Sequence, residues 1–292
     1  MVDNKIIDGK LIAATIKKEI AAEVANMIDH GQDAPHLAAV IVGEDGASLT
    51  YVASKEKASQ SVGMISSVYR LKATATEKEV LDTINFLNND PEIDGYIVQL
   101  PLPDHINETK VIQSISHNKD VDGFTLYNIG LMQLGESCFL PATPFGILEL
   151  LKRSDVEISG KHVVVLGRSN IVGTPVSVML SRKGVDATVT MCHTKTKNIE
   201  DITRQADILI AAVGQPHFVK ADMVKEGAVV IDVGIHRIKD DSEKGYHIIG
   251  DVDFDEVYKK ASKITPVPGG VGPMTIVSLL YNTLQAAKKN RK

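Results

Sequence analysis

The stretch VVVLGRSNIVGTP, residues 163–175, decides the fold of the second half of the chain. A continuous apolar run ends at Gly167, and a predicted helix follows within a few residues, which is the setting that a dinucleotide site requires. Gly167 permits a sharp turn, and Gly173 permits close approach at a helix start whose free N–H groups and dipole can hold a pyrophosphate. Ser169 stands where the usual motif has its second glycine, so by itself the loop is equally typical of a structural turn.

Three further apolar runs follow this loop, and their order supports the nucleotide-binding interpretation. Each run is short and nearly continuous, the pattern of strands that are buried on both faces of a parallel sheet. Strands alternating with helices in this order favour a doubly wound, Rossmann-like domain. The predicted strands are KHVVVLG (161–167), ATVTMC (187–192), ADILIAAVG (206–214) and GAVVIDVGI (227–235).

The end of the second of these strands indicates which dinucleotide is bound. Sites for NAD usually place an acidic residue there to bind the ribose 2′-hydroxyl, but this chain has CHTKT at residues 192–196. Hydroxyl groups and a cation suit a 2′-phosphate, and Arg168 can add a bidentate donor. A plain polar loop is the alternative, but the absence of a carboxylate that would repel phosphate favours NADP.

The first half of the chain also alternates helices and strands, which predicts parallel strands joined by helical crossovers. An apolar residue at every fourth position from Ile12 to Ile28 predicts an amphipathic helix that ends at Gly31. Thr76 and Glu79 form a capping box at the start of another helix. The other predicted elements here are strands at 36–43, 64–71 and 95–103 and a helix at 51–62.

A break near residues 125–143 separates the two halves, and helices border the second half. The first is predicted over Phe145–Arg153, with Thr143 as its cap and Pro144 in its first turn. The last is predicted from Met274 to about Lys288, after a loop rich in proline and glycine.

Length and composition limit the possible classes of protein. A chain of 292 residues exceeds what one hydrophobic core usually organises, so two domains are expected. A net charge of −5 gives no electrostatic reason to expect nucleic acid or an anionic membrane as partner. No apolar run is long enough to span a bilayer, and the start of the chain lacks the apolar core of a signal peptide. Two distant cysteines and scattered histidines lack metal-ligand spacing, so we expect a cytoplasmic protein without metal or disulfide.

Tyr51 and Lys55 share one helix face, a spacing that is also the acid–base signature of short-chain reductases. In those enzymes the glycine loop precedes the tyrosine, whereas here it follows, so the pair belongs to a separate domain. A tyrosine packed on a lysine stem is the ordinary alternative. Gln99 argues for a site, because it ends a buried strand and the rigid QLPLP sequence holds it in place. Asp122 adds a carboxylate in the loop KDVDGF (119–124), although Asp-Gly is usually a turn.

Eight motifs together carry a family resemblance: TYVASK (50–55), DGYIVQLPLP (94–103), KDVDGF (119–124), GRSNIVGTP (167–175), CHTKT (192–196), DVGI (232–235), GDVD (250–253) and TPVPGGVGPMT (265–275). On these motifs the chain resembles the bifunctional methylenetetrahydrofolate dehydrogenase/cyclohydrolase family over essentially its full length. The resemblance implies NADP-dependent oxidation of 5,10-methylenetetrahydrofolate to the 5,10-methenyl cation, followed by hydrolysis to 10-formyltetrahydrofolate. It also implies a homodimer, with tetrahydrofolate one-carbon derivatives as its small-molecule partners.

The resemblance assigns roles to the residues above. Lys55 would be central to hydrolysis, with Gln99 tuning its protonation. Tyr51 would stack on the folate ring, and Asp122 would accept hydrogen bonds from the amino-bearing edge of the pterin. The catalytic group is thus Lys55, Gln99, Tyr51 and Asp122, and substrate binding adds Pro268, Gly269, Gly270 and Val271. The expected cofactor-binding residues are Gly167, Arg168, Ser169, Ile171, Gly173, His193, Thr194, Gly214, Val233 and Ile235.

The expected architecture is two α/β domains with parallel sheets facing across a cleft. Residues 1–140 form a folate-binding catalytic domain, onto which the C-terminal helix 275–292 packs back, and residues 141–274 form the Rossmann-like NADP-binding domain. Three alternatives remain open: a dehydrogenase-only member of the family, a nucleotide-binding regulator without turnover, and an amino-acid or shikimate-type dehydrogenase. The last would not need YVASK paired with QLPLP.

Overall fold

The computed structural model describes residues 4–242 and 245–290, and the chain divides into two compact units. The first unit comprises Ala14–Ala142 with Ile276–Lys292, and the second comprises Met1–Ala13 with Thr143–Thr275. Residues 291 and 292 of the predicted last helix lie outside the described residues. Among the helices that are described, none combines the length and the apolar content needed to cross a membrane.

The first unit is built on a three-stranded parallel sheet with the order β2-β1-β3. The central strand is buried along almost its whole length, which explains its unbroken apolar sequence, whereas the edge strand β2 is half exposed and more polar. The predicted parallel pairing is confirmed. The elements are α1 (Gly9–Asp29, from Ala14 onward in this unit), β1 (His36–Val42), α2 (Gly46–Ser61), β2 (Ile65–Leu71), α3 (Glu77–Asn89), β3 (Gly95–Val98), α4 (Glu108–Gln113) and α5 (Leu126–Leu134).

The second unit contains a five-stranded parallel sheet with the order β10-β7-β6-β4-β5. In chain order this is the 2-1-3-4-5 arrangement of doubly wound folds, whose switch point lies between the first and third strands, here β4 and β6. The elements are α6 (Ala142–Arg153), β4 (His162–Leu166), α7 (Gly173–Ser181), β5 (Thr188–Cys192), α8 (Ile199–Thr203), β6 (Ile208–Ala211), a 3₁₀ turn (Ala221–Met223), β7 (Val229–Asp232), the antiparallel pair β8 (His236–Lys239) and β9 (Tyr246–Ile249), α9 (Phe254–Lys260), β10 (Lys263–Ile264) and the start of α10 (Val271–Asn290, up to Thr275 in this unit). The Rossmann-like fold class is confirmed.

Helix α1 shows where a simple residue spacing misleads. The sequence predicts one apolar stripe from Ile12 to Ile28, but Ile28 is 47% exposed and Met27 is buried in its place. A spacing of four residues advances by 400°, so each step drifts about 40° away from the starting face. Over four steps the stripe leaves the core, and Met27 restores the contact.

The bounds of three other helices differ from the predictions. Helix α2 begins at Gly46 rather than at residue 51, since the Asp45 side chain accepts a hydrogen bond from the Ser48 N–H at 2.8 Å and caps it. Helix α6 already includes Ala142, so Thr143 is not its cap, and the Thr143 hydroxyl lies 3.1 Å from that of Thr275. Helix α10 begins at Val271, which makes the preceding loop shorter than predicted.

The first residues of the chain group with the second unit, although the sequence places them in the first domain. The physical reason is main-chain pairing with β10. The Ile7 N–H donates to the Ile264 carbonyl at 2.9 Å, and the Ile264 N–H donates to the Lys5 carbonyl at 2.8 Å. The C-terminal residues from Ile276 onward group with the first unit.

Candidate functional site

Helix α2 places Tyr51 and Lys55 on one face, one turn apart. Lys55 retains only 7% of its exposed surface, which is unusual for a lysine. Its Nζ lies 4.3 Å from the centroid of the Tyr51 ring, within range of a cation–π interaction. The aromatic face and the buried ammonium therefore form a single unit at this helix turn.

Gln99 is oriented toward this lysine by its own hydrogen bonds. Its backbone N–H donates to the Val40 carbonyl at 2.8 Å and so continues the pairing of β3 with β1. Its side-chain Nε2 donates to the Leu100 carbonyl at 2.8 Å, which turns Oε1 the other way. The Lys55 Nζ then donates to Gln99 Oε1 at 3.3 Å. An amide oxygen accepts this bond from either the charged or the neutral amine, so the contact does not fix the protonation state.

Burial sets the electrostatics of the pair formed by Lys55 and Asp122. Burial lowers the pKa of the Lys55 amine, and the negative charge of Asp122 opposes this by raising it. Burial raises the pKa of the Asp122 carboxyl to about 6, while Lys55 lowers it and Asp120 raises it further. The two pKa values are thus displaced toward each other, which brings both groups closer to titration near neutral pH.

The loop that carries Asp122 is held in place by neighbours that the sequence did not single out. Asp120 is buried and accepts from the Thr125 N–H at 2.8 Å, the Thr125 hydroxyl at 2.7 Å and the Asn128 amide at 2.8 Å. Gly123 has a φ of +71°, and a Cβ there would lie 2.5 Å from the Phe139 carbonyl oxygen. Asn282, on α10, donates to the carbonyls of Val121 and Leu140 at 2.8 and 2.9 Å. The loop is therefore rigid where its carboxylate is presented.

The glycine turn of the second unit is closely packed. A Cβ on Gly167 would lie 2.2 Å from the Ala212 carbonyl oxygen, and one on Gly173 would lie 2.1 Å from the Gly167 carbonyl oxygen. Gly167 also has a φ of +112°. Since Gly167 follows β4 and Ala212 follows β6, this contact lies at the switch point of the sheet, where doubly wound folds bind ligands.

Ser169 replaces the second glycine of the usual motif and closes the start of α7. Its hydroxyl accepts from the Val172 N–H at 3.1 Å, and its carbonyl accepts from the Thr174 N–H at 3.0 Å. The Gly173 N–H also donates to this hydroxyl at 3.4 Å, so the expectation of free N–H groups at this helix start is wrong for Val172, Gly173 and Thr174. The positive end of the helix dipole remains available to an anion.

Several residues predicted to bind the cofactor follow the ends of β4 and β5. Arg168, Ile171 and Thr194 are exposed, and His193 is half-buried. The His193 ring is fixed, because its Nδ1 accepts from the Lys195 N–H at 3.1 Å. The residues present fit a dinucleotide with a 2′-phosphate, since glycines let the turn after β4 pack closely at the switch point and the end of β5 carries basic and hydroxyl groups without a carboxylate.

A cavity of about 170 Å³ within the second unit brings together residues predicted for two different roles. Val233 and Ile235, from the predicted cofactor group, line it together with Pro268–Val271, the predicted substrate group. Its volume is below the roughly 300–1,000 Å³ of sites that enclose a whole drug-sized ligand, so it suits a single flat ring. Gly214 does not line this cavity, but its N–H donates to Asp251 beside it.

The comparisons with known proteins agree with this geometry. Residues 7–122 match the model of the tetrahydrofolate dehydrogenase/cyclohydrolase catalytic domain, and residues 141–291 match that of the NAD(P)-binding domain of the same family. The chain belongs to the tetrahydrofolate dehydrogenase/cyclohydrolase family. The family resemblance predicted from the eight motifs is therefore confirmed, as is the enzyme class.

Relatives of high similarity cover nearly the whole chain. The bifunctional protein FolD of Bacteroides fragilis is 58% identical over 287 residues, covering 97% of this chain and 98% of that protein. The crystal structure of the bifunctional FolD enzyme from Campylobacter jejuni matches with a TM-score of 0.92 and 48% identity, over 97% of this chain and 98% of that one. The FolD structure of Trypanosoma brucei, complexed with NADP cofactor and inhibitor, matches with a TM-score of 0.93 and 40% identity, over 98% of both chains.

Family membership also rules out one of the alternatives that the sequence left open. The shikimate dehydrogenase of Aquifex aeolicus shares the fold, with a TM-score of 0.51, but only 13% of its sequence is identical. The interpretation of this chain as a shikimate-type dehydrogenase is therefore wrong, although the fold is common to both.

Several residues around the sites of this family member were missed by the sequence reasoning. They are Lys10, which lines the 170 Å³ cavity, and the anchoring residues Asp120, Asn282, Asp232 and Asp251. The two aspartates of the second unit do carry a signal in the sequence. Asp232 ends an apolar run, and Asp251 stands between a glycine and a valine. For Asn282 the sequence holds no such signal.

Proposed function

We propose that this chain catalyses two consecutive reactions of one-carbon folate chemistry. NADP-dependent oxidation converts 5,10-methylenetetrahydrofolate to 5,10-methenyltetrahydrofolate, and hydrolysis then gives 10-formyltetrahydrofolate. The observation that carries the proposal is the buried Lys55, whose Nζ faces Gln99 Oε1 and the Tyr51 ring beside the charge of Asp122. This arrangement occurs in a chain whose family is defined by both activities.

Lys55 is the proton acceptor and donor of the hydrolysis. Water attacks the amidinium carbon of the methenyl cation, and the neutral Lys55 amine accepts one proton from that water. Collapse of the adduct breaks the bond from this carbon to N5, and Lys55 returns the proton to N5 while the hydroxyl proton leaves to solvent. The lowered pKa of Lys55 supplies the neutral amine that this sequence requires.

Gln99, Tyr51 and Asp122 position the amine and the substrate. Gln99 holds the Lys55 nitrogen in place through an oxygen that accepts in both protonation states. Tyr51 offers an aromatic face on which a flat ring system can stack. The Asp122 carboxylate can accept two hydrogen bonds from the amino-bearing edge of a pterin, a pairing that needs its ionised form.

The second unit supplies the cofactor site of the oxidation. NADP, when bound, accepts the hydride from the methylene carbon. Gly167 and Gly173 let the backbone of the turn pack closely at the switch point, where the phosphates would bind, and Arg168, His193 and Thr194 are the residues proposed to hold the 2′-phosphate. Ser169 and Ile171 complete the loop, while Gly214, Val233 and Ile235 form the nicotinamide side. Pro268–Val271 present a close backbone surface to a flat ring. The FolD of Trypanosoma brucei binds NADP in its crystal structure, which supports this assignment.

The other expectations from the sequence stay predictions. These are a homodimer, a cytoplasmic location, no nucleic-acid partner, and the two domains at residues 1–140 and 141–274 with the last helix on the first. A dehydrogenase-only enzyme is the second candidate function, and the intact Lys55–Gln99 contact argues against it. A regulator without turnover is disfavoured by the same contact.

The test is an absorbance assay with the purified protein. 5,10-Methylenetetrahydrofolate is supplied with NADP or with NAD, and the formation and decay of the methenyl product are followed. We expect formation to be faster with NADP than with NAD, followed by enzyme-dependent decay. Lack of methenyl formation with either cofactor would contradict the proposed function, and formation without accelerated decay would favour the dehydrogenase-only enzyme.

A further inference from the structure

The motifs DVGI (232–235) and GDVD (250–253) contain two buried aspartates to which the proposed function gives no role. Asp232 ends β7 and is 3% exposed, and Asp251 is fully buried. Backbone N–H groups supply most of the hydrogen bonds to the two carboxylates. Burying a charged group costs free energy unless hydrogen bonds compensate it, so the question is what these carboxylates hold in place.

Each carboxylate fastens two separate segments of the second unit. Asp232 accepts from the Gly234 N–H at 2.9 Å, the Asp251 N–H at 2.9 Å and the Val252 N–H at 3.0 Å. Burial raises the pKa of Asp232 to about 6, and these three bonds oppose that rise, because they favour the ionised carboxylate. These hydrogen bonds therefore join the end of β7 to residues 250–253, and we call this hydrogen-bonded arrangement the lock.

Asp251 extends the lock to the end of β6. Its Oδ2 accepts from the Val213 N–H at 2.7 Å and the Gly214 N–H at 3.0 Å. Its Oδ1 lies 2.7 Å from Nε2 of His236, the first residue of β8. As a carboxylate can only accept, the His236 ring donates at Nε2.

Two glycines show that the backbone has closed around these side chains. A Cβ on Gly234 would lie 2.4 Å from Asp251 Oδ1, and a Cβ on Gly250 would lie 1.8 Å from Asp232 Oδ2. Neither glycine has a positive φ, so they serve close approach rather than an unusual turn. Gly234, Gly250, Asp232 and Asp251 thus form one interlocked structure.

The lock ends at the residues proposed to face the nicotinamide. Gly214 is held directly by Asp251, and Val233 and Ile235 flank Gly234, which Asp232 holds. We propose that Asp251, together with His236, is a positioning residue for hydride transfer that fixes the nicotinamide-facing backbone and takes no part in hydrolysis. The inference rests on the proposed function, because it assigns Asp251 and His236 to the oxidation step alone.

The experiment separates the two activities. Asp251→Ala leaves the N–H groups of Val213 and Gly214 and the His236 ring without this acceptor, and we expect kcat/KM for NADP-dependent oxidation to fall at least about tenfold. The dissociation constant for NADP, measured by calorimetry, should rise. Hydrolysis of supplied methenyltetrahydrofolate should stay within about twofold of wild type, as expected of an uncoupled site. Asp253→Ala is the matched control, since Asp253 forms a surface ion pair with Lys220 at 3.0 Å, and both activities should be retained.

His236 provides a test that removes less of the lock. His236→Leu should lower oxidation and NADP affinity in the same direction as Asp251→Ala, and His236→Gln, which keeps an N–H donor, should restore part of both. If Asp251→Ala does not fold, this pair of variants carries the test. Unchanged NADP affinity in His236→Leu, or hydrolysis that falls in parallel with oxidation in a folded variant, would overturn the inference. If wild type does not oxidise the folate, the proposed function fails, while the NADP affinities still test the lock.

Discussion

The sites of the two units use different physical means. In the first unit, chemistry depends on charged side chains removed from water, with Lys55 buried and the pKa of Asp122 raised to about 6. In the second, the proposed binding depends on backbone, because Gly167 and Gly173 let main-chain segments approach more closely than side chains would allow, and the charged residues around them are exposed. Proton transfer requires a tuned pKa, whereas holding a dinucleotide requires shape and hydrogen-bond donors. The two sites should therefore respond differently to substitution.

The largest effect is expected for Lys55→Met. The variant keeps a side chain of similar length but has no group that exchanges protons, so hydrolysis of supplied methenyltetrahydrofolate should fall by about 10²–10⁴-fold. Lys57→Met is the matched control, because Lys57 is an exposed lysine on the same helix. If the two variants hydrolyse methenyltetrahydrofolate at equal rates, the buried lysine has no catalytic role that the surface lysine lacks.

The next largest effect is expected for Gly173→Ala in the second unit. The added methyl group meets the Gly167 carbonyl oxygen at 2.1 Å, and such overpacking should lower the free energy of unfolding by about 1–3 kcal/mol. NADP affinity should fall with it, since the turn must shift. Gly130→Ala in α5 is the control, as a Cβ there meets nothing within 4 Å. Chemical denaturation of both variants gives the comparison, and equal stabilities would show that the turn is not closely packed.

Asp122→Asn tests the electrostatic side of the comparison. It removes the negative charge that raises the pKa of Lys55, so that pKa should fall. Because the neutral amine is the active form, the pH profile of hydrolysis should move to lower pH. The KM for the folate should rise about tenfold through the loss of a charge-assisted hydrogen bond. A profile that stays in place, or moves to higher pH, would show that Asp122 does not act on Lys55.

In wild type, the carboxyl of Asp122 has a folded pKa of about 6, so protonation removes the acceptor pair as pH falls through that value. The KM for the folate should therefore rise below about pH 6, while the dissociation constant of NADP, measured on the same samples, should change less. Parallel changes in both constants would remove the distinction between the two units.

The smallest effect is expected for Arg168→Gln. Arg168 is exposed, and a charge-assisted contact to phosphate at an exposed site contributes modestly, so the preference for NADP over NAD should fall about tenfold or less. Oxidation rates with both cofactors measure this ratio. An unchanged ratio would mean that the residues following β5, rather than the glycine loop, select the cofactor.

Most of the architecture could be predicted because it depends on local patterns. Continuous apolar runs gave the buried parallel strands, and the Thr76–Glu79 capping box is present in the structure. The stripe in α1 failed at Ile28 because residue spacing alone ignores helical drift. The grouping of the first residues with the second unit could not be predicted, since main-chain pairing between Ile7 and Ile264 leaves no side-chain signal.

The residues of the candidate sites also fall into those that the sequence could predict and those that it could not. Lys55, Gln99 and Tyr51 could be selected from the sequence, and the structure brings their side chains together. Ser169 shows the limit, because its hydroxyl closes the helix start that was expected to remain open. The anchoring roles of Asp120 and Asp251 depend on hydrogen bonds from distant or irregular backbone, which no residue spacing encodes.

The central claim is that Lys55 carries the proton transfers of hydrolysis. The most direct measurement is the ratio of methenyl product to NADPH in a single reaction of Lys55→Met with 5,10-methylenetetrahydrofolate and NADP. We predict that methenyl product accumulates in step with NADPH in the variant, whereas in wild type it falls below NADPH as it is hydrolysed. A Lys55→Met protein that clears the methenyl product as wild type does would contradict the account.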